Sequence, residues 1–445
     1  MNTIVACSSP IGQGGVALIR MSGPLSISIA KQLSHRSSFR PRYTTLASLS
    51  YKSVFLDQVM MIVMPNPRSF TGEDVVEITC HGNPIIVQQI IEACIDLGAR
   101  IARPGEFTRR ALENGKLSLL QAEALNGVIH ARSVEGLELV QKNLQGSLDE
   151  GVSSLKERLL DICAELEAML DHPDDDLSLL SDEEIALELD SVACIATQSA
   201  ENWNSNRIGL QGAKVALIGA VNAGKSSLFN VLLGYERAIV SDIAGTTRDV
   251  VEKSVSWDGL EITFLDTAGA RMHTEDTIEA RGIEIGISMA KEVDLCLLVF
   301  SLQEAQYNPE IYTQLDTLEK QVAPVPVLRV GTHLDLVSTI DMADMVISNK
   351  TKEGLEEIKN HILSLLRSKT TTGEAYTIVS QRQYDLFLSL ARHCYQARDA
   401  LLGILGPAVA AEEITEALQR ISELTGEEVR ERILDRLFSK FCIGK

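Results

Sequence analysis

The sequence predicts an α+β section at the N-terminus, a helical domain in two pieces, and an α/β domain with a mostly parallel six-stranded sheet inserted between those pieces. Three observations carry this. Seven of the twelve prolines fall in residues 1–104, and none lies between 104 and 173. Within that Pro-free stretch apolar residues recur at helical spacing, as at Leu155, Leu159, Ile162, Leu166 and Leu170. From about 211 to 370, short apolar runs alternate with helix-like segments, the pattern of βαβ units. At 445 residues the chain is also too long for a single core.

In chain order, residues 3–6, 16–20 and 74–80 read as strands, the second following a Gly12-Gln13-Gly14-Gly15 turn. Helices are expected from about 119 to 170, until the acidic run 171–176 breaks them as a solvated loop, and again over 183–208. Six strands are expected near 213–219, 251–257, 260–266, 294–300, 325–331 and 343–348. Asp258-Gly259 supplies a hairpin turn between the second and third of these. Residues 374–440 return to helical spacing; so short a tail buries little alone and is expected to pack on the helices of 119–208. The expected domains are therefore 1–118, 119–210, 211–370 and 371–445.

Net charge is −20, unevenly spread: residues 1–118 hold 12 Lys/Arg against 8 Asp/Glu, so the remainder carries −24. Gripping a long nucleic acid needs a basic surface, so any RNA substrate calls for a partner that supplies much of the grip. The eight cysteines are scattered without a Cys-x-x-Cys pair, which argues for a reducing, cytoplasmic setting. No apolar run approaches the roughly 20 residues that span a bilayer, so no membrane is expected.

The chemistry concentrates at Gly219-Ala220-Val221-Asn222-Ala223-Gly224-Lys225-Ser226, with a strand-like run before it and a helix-like run, from Ser227, after it. Glycines let consecutive N–H groups and a helix N-terminus face phosphate oxygens. Lys225 then reaches the outer phosphates and Ser226 ligates Mg²⁺. Three further elements follow in the order a GTPase needs. Asp266-Thr267-Ala268-Gly269 ends a strand-like run; the carboxylate holds Mg²⁺ through water and Gly269 N–H meets the γ-phosphate. Between them, Gly245-Thr246-Thr247-Arg248-Asp249 offers a Thr hydroxyl, Thr247, to the same Mg²⁺, with Arg248 and Asp249 as catalytic candidates. Thr332-His333-Leu334-Asp335 ends another apolar run, and Asp335 accepts from guanine N1–H and its exocyclic amine, where adenine would present a lone pair. Ser348-Asn349-Lys350 reaches the base through backbone N–H.

This set resembles the translation-factor-like class of small GTP-binding domains, whose usual Asn-Lys-x-Asp is here Thr332-His333-Leu334-Asp335. Losing the Lys stem over the base predicts weaker affinity, with guanine preference kept by Asp335. Val221 also departs, where many relatives carry Pro.

Motifs outside that domain are more specific. Thr71-Gly72-Glu73-Asp74, Cys80-His81-Gly82, Arg103-Pro104-Gly105-Glu106-Phe107-Thr108, Asn114-Gly115-Lys116-Leu117 and the ending Phe441-Cys442-Ile443-Gly444-Lys445 resemble the MnmE (TrmE) tRNA-modification GTPases over essentially the whole chain. The resemblance implies a Ras-like P-loop GTPase domain and an N-terminal folate-binding, dimerising domain. It implies a flavoprotein partner, MnmG (GidA), in a heterotetramer, acting on the wobble uridine of tRNA. There an aminomethyl or carboxymethylaminomethyl group is installed at C5 with a one-carbon unit from 5-formyl- or 5,10-methylene-tetrahydrofolate. Folate positions carried over are Arg20, Glu77, Lys116 and Lys445. Cys442 is a candidate nucleophile or general acid, although a cysteine near a tail is more often inert; His81 reads as structural. The family orients the attacking water with a Glu that aligns with Glu279, with Glu275 or Glu284 as slipped alternatives. It uses K⁺ in place of an arginine finger, held here by Asn222, Ser241, the Ile243 carbonyl and Thr246, with Asp242 and Ala244 in the same nucleotide-binding segment. The alternative for Asn222 is that it braces the loop. The competing reading of the chain is a GTP-regulated ribosome-assembly or RNA-binding switch without modification chemistry.

Overall fold

The computed structural model describes residues 2–10, 12–171, 180–220, 222–234, 251–266, 287–289, 291–337, 343–367, 375–427 and 431–444, the side chains of 171, 204, 205, 251 and 432 excepted. The chain divides into two compact units, Met1–Asn126 with Asn143–Ala193 and Leu386–Lys445, and Gly127–Lys142 with Cys194–Asp385.

The first unit holds β1 (Ile4–Cys7), β2 (Gly14–Ser22), β3 (Thr45–Tyr51), β4 (Val54–Met64), β5 (Val75–Gly82) and β6 (Arg100–Ile101) in the order β3-β4-β5-β2-β1-β6. All neighbours are antiparallel except β1 and β6. Alternation sorts the side chains: Val59, Met61 and Val63 are buried while Gln58 and Met60 are exposed. Helices Ser26–Ser34 and Pro84–Asp96 cover the inner face, packing Ile29, Leu33 and Ile90 on Ile19, Met21, Met61 and Ile78. The opposite face carries Arg20 on β2 and Glu77, Thr79 and His81 at alternate positions of β5, with Arg20 paired to Glu77 in register.

The Pro-free stretch forms three helices, Leu119–His130, Val134–Leu144 and Ser147–Asp171. In the first unit, Ser147–Asp171 packs along Pro407–Thr425. Leu155, Leu159, Ile162 and Leu166 are buried, as are Ile414, Ala417, Ile421 and Leu424 on the other helix. Each of these leucines and isoleucines contributes about 1.5–3 kcal/mol. Leu170 departs from the expected seam and is 43% exposed. Asp171 closes its helix, and the rest of the acidic run lies outside the described residues. The last helix, Glu431–Phe438, lies on Glu106–Glu113, where Phe438 and Phe441 close over Ala122 and Leu112, and Arg109 pairs with Asp435 at 2.6 Å.

The second unit is built on β7 (Ala213–Ile218), β8 (Val251–Trp257), β9 (Leu260–Asp266), β10 (Leu295–Ser301), β11 (Val327–Thr332) and β12 (Met345–Val346), ordered β12-β11-β10-β7-β9-β8. Only β8 runs antiparallel to its neighbour. Its hairpin turns through Asp258 and Gly259, with φ of 47° and 83° between the paired Trp257 and Leu260, the type I′ geometry expected of that dipeptide. β10, central in the parallel sheet, is buried at every position. Helices Lys225–Leu233 and Leu355–Leu366 cover one face, and Leu302–Tyr307 with Glu310–Val322 the other.

Residues 183–208 are helical as expected, in two helices, Asp182–Glu201 and Trp203–Gln211, that meet at Asn202. One helical expectation is corrected. Residues 375–379 are not helical, because Tyr376 N–H donates to Ser199 Oγ at 2.8 Å and the Ile378 carbonyl accepts from Asn206 Nδ2 at 3.3 Å.

Candidate functional site

β7 lies between β9 and β10, so the chain leaving it emerges where the strand order reverses, the place where open α/β sheets bind ligands. A Cβ on Gly219 would sit 1.9 Å from the Val299 carbonyl oxygen, so only glycine lets the loop pass this close to β10. Asn222 (φ 65°) is exposed at the turn, and Lys225 opens the helix with only 8% of its surface accessible. Its Nζ donates to the carbonyls of Gly219 and Ala220, each at 2.7 Å, which fixes the ammonium inside the curl of the loop. Ser226 and Ser227 are exposed at the helix N-terminus. Asp266, paired in register with Leu217, is buried at the end of β9 beside this loop.

The base-reading segments converge on the same edge. Thr332 is fully buried, with Oγ1 2.8 Å from the Ala223 carbonyl oxygen and 3.1 Å from that of Phe300, so it ties β11 to the phosphate loop and β10. Asn349 Nδ2 donates to the Gly224 carbonyl at 3.4 Å. His333 has φ of 62°, and its Nδ1 lies 3.1 Å from Ser301 Oγ. Asp335 is exposed, and Ser348 Oγ donates to its Oδ1 at 2.7 Å while accepting from Thr351 N–H at 3.1 Å. The Ser348 hydrogen bond holds the Asp335 carboxyl below the usual carboxylate range, aided by the charges of Lys350 and His333. At neutral pH this is an acceptor-only group. Ser301 lies outside every sequence motif; its position at the C-terminal end of a parallel strand is the signal that marks it.

The first unit gathers a second constellation. Arg20 Nε donates to Glu77 Oε1 at 2.9 Å, and its guanidinium carbon lies 5.5 Å and 5.8 Å from the Phe70 and Phe107 ring centres. Arg20 Nη1 and Ser8 Oγ both donate to the Gly444 carbonyl, at 3.4 Å and 2.8 Å. A Cβ on Gly444 would lie 2.4 Å from the Cys7 carbonyl oxygen, so the tail reaches β1 only as glycine. Lys116 is exposed, with its side chain against Gly72.

Comparison with known proteins matches residues 3–116 to the family model "GTP-binding protein TrmE N-terminus" and residues 119–442 to "MnmE helical domain". Over its full length the chain is 35% identical to a protein of Pseudothermotoga lettingae named tRNA modification GTPase MnmE, covering 100% of both. Proteins of the same name from Acinetobacter baylyi (35% identity, 100% of this chain, 96% of the other) and Chlamydia felis (35%, 100% and 99%) match similarly. The chain belongs to the MnmE family.

Among the described residues of this MnmE-family chain, no helix is long and apolar enough to cross a membrane. All eight cysteines are free. Burial pushes Cys94, Cys296 and Cys394 up to about 12 and Cys80 up to about 11, which leaves them inert thiols, whereas Cys442 is exposed. Residues 241–249 and 267–269, with Glu279, Glu275, Glu284 and Lys445, lie outside the described residues.

Proposed function

We propose that this chain is a potassium-dependent GTPase that acts in the cytoplasm with the flavoprotein MnmG on the wobble uridine of tRNA, installing an aminomethyl or carboxymethylaminomethyl group at C5 with a tetrahydrofolate one-carbon unit. The observation that carries the GTPase half is the convergence of Lys225 with the Asp335–Ser348 pair at one sheet edge. Asp335 reads guanine N1–H and its amine, and Lys225 with the helix N-terminus takes the phosphates. Ser226 and Thr247 would hold Mg²⁺ directly and Asp266 would hold it through water, hydroxyl and carboxylate oxygens being the hard ligands that ion takes. Asn222, with Ser241, the Ile243 carbonyl and Thr246, holds K⁺, which when bound supplies positive charge where it builds between the β- and γ-phosphates. The exposure of Asn222 supports this. Glu279 orients the water, and Arg248 and Asp249 assist from the loop that also contacts nucleotide.

In this reading residues 1–118 bind folate and dimerise, 119–210 with 371–445 form the helical domain, and 211–370 hydrolyse GTP. Arg20, packed against two phenyl rings and paired with Glu77, suits a heteroaromatic ligand with a carboxylate tail. Lys116 and Lys445 add cations, and Cys442 is the reactive group of the tail. Leu46 and Met60 face each other across β3 and β4 while 59% and 47% exposed, and Val54 and Phe55 extend that apolar surface, which fits a second copy of the chain. GTP turnover in K⁺ against Na⁺ at equal ionic strength tests the cation: a rise in K⁺ of at least about tenfold is expected, and equal rates reject it.

A further inference from the structure

At the far end of the sheet face that carries Arg20 and Glu77, a buried carboxylate holds an exposed histidine. The Asp57 side chain is 8% exposed and that of His81 is 68% exposed. Asp57 Oδ2 accepts the His81 backbone N–H at 2.9 Å, and Oδ1 lies 2.8 Å from His81 Nδ1. Oδ1 also accepts Gln58 N–H at 2.8 Å. Burial opposes the Asp57 charge, but the His81 backbone, the His81 ring and Gln58 N–H together outweigh it, and the carboxyl lies below its ordinary range. A carboxylate only accepts. A neutral His81 ring therefore carries its proton on Nδ1 and turns Nε2, with a free lone pair, to solvent.

One carboxylate thus grips both the backbone and the ring, which fixes the imidazole more firmly than a surface histidine needs. His81 shares its face with Thr79 and Glu77 on β5, and β2 places Arg20 opposite Glu77 and Val16 opposite His81. Four residues of strand separate Glu77 from His81, about 13 Å, within reach of one extended folate-sized molecule. Of the titratable groups, Cys80 on the inner face of β5 feels the Asp57 charge, while Arg20 and Glu77 lie about four strand residues along the sheet from His81.

We infer that Asp57 and His81 form the proton-accepting pair for the ligand lying on this face: Nε2 takes a proton from a ligand N–H or O–H, and Asp57 stays ionised and stabilises the imidazolium. The inference rests on the folate reading of the face. A histidine with a purely structural role would leave Nε2 blind to ligand.

The test uses the full-length chain. In the wild-type protein labelled with ¹⁵N at histidine, the His81 resonances are expected to show the Nδ1–H tautomer, and Nε2 is expected to move when 5-formyltetrahydrofolate is added. His81→Gln is expected to keep the melting temperature, the GTPase rate and folate affinity within about threefold, while wobble-uridine modification in a complemented deletion strain falls about 100-fold, the scale of a lost general base. A silent Nε2 with folate bound, or wild-type modification by His81→Gln, overturns the pair. Should the wild-type chain fail to bind the folate at all, the reading of the face falls with it.

Discussion

The two six-stranded sheets of this molecule place chemistry in opposite ways. In the second unit the strands other than β8 run parallel, so their C-terminal ends gather on one edge. In the first unit the strands are antiparallel, and the candidate ligand face is assembled from alternate residues of β2 and β5 together with the end of the chain. A parallel edge writes its site as short motifs; an antiparallel face scatters it over more than 400 positions, from Arg20 to Gly444.

The sharpest way to break this contrast is Lys225→Ala. Removing the buried ammonium from the loop is expected to lower GTP turnover at least about 1000-fold while folate affinity stays unchanged, as read by phosphate release and by titration calorimetry. A parallel loss of folate binding would merge the two sites into one. Next in size, Asp335→Asn presents an amide donor where guanine offers donors. GTP affinity is expected to fall about 100-fold, and xanthosine triphosphate to bind better than GTP; retained GTP affinity would remove Asp335 from base reading. On the other face, Arg20→Gln is expected to weaken folate binding about 30-fold by losing a charge-assisted contact, with GTP hydrolysis intact.

The smallest effect concerns pH. Ser348 depresses the Asp335 carboxyl, so base recognition, which needs the ionised form, is present above that lowered value and lost only as pH falls through it. Ser348→Ala returns the carboxyl toward its ordinary range, so the acid limb of GTP binding moves to higher pH, with about a threefold loss at neutral pH. An unmoved limb would mean that Lys350 and His333 dominate the shift.

How much of each region is legible in the sequence follows from the same difference. The six strands of the nucleotide unit and the Asp258-Gly259 turn are readable because apolar runs, Gly-rich breaks and turn chemistry are local signals. So are Lys225 and Asp335, which sit inside their motifs. The role of Thr332 as a tie between Ala223 and Phe300 is not readable, because it depends on which strands are neighbours. In the first unit the helical seam is visible from Leu155 to Leu166, but Leu170 follows the same spacing and is exposed, since periodicity does not say what a face packs against. Residues 375–379 carry a helical composition, yet side chains of Ser199 and Asn206 capture their backbone. His81 reads as an ordinary strand-end residue, because the Asp57 carboxylate that bonds its ring and backbone comes from 24 positions away and carries no local signal.

The most direct measurement is mass spectrometry of wobble nucleosides in tRNA from cells that lack the chain, complemented in turn by the wild-type, Lys225→Ala and Arg20→Gln forms. Modified uridine is expected to return only with the wild-type chain, while the purified Arg20→Gln protein still hydrolyses GTP. Full modification restored by Lys225→Ala would contradict the account, because GTP hydrolysis would then have no part in remaking the base.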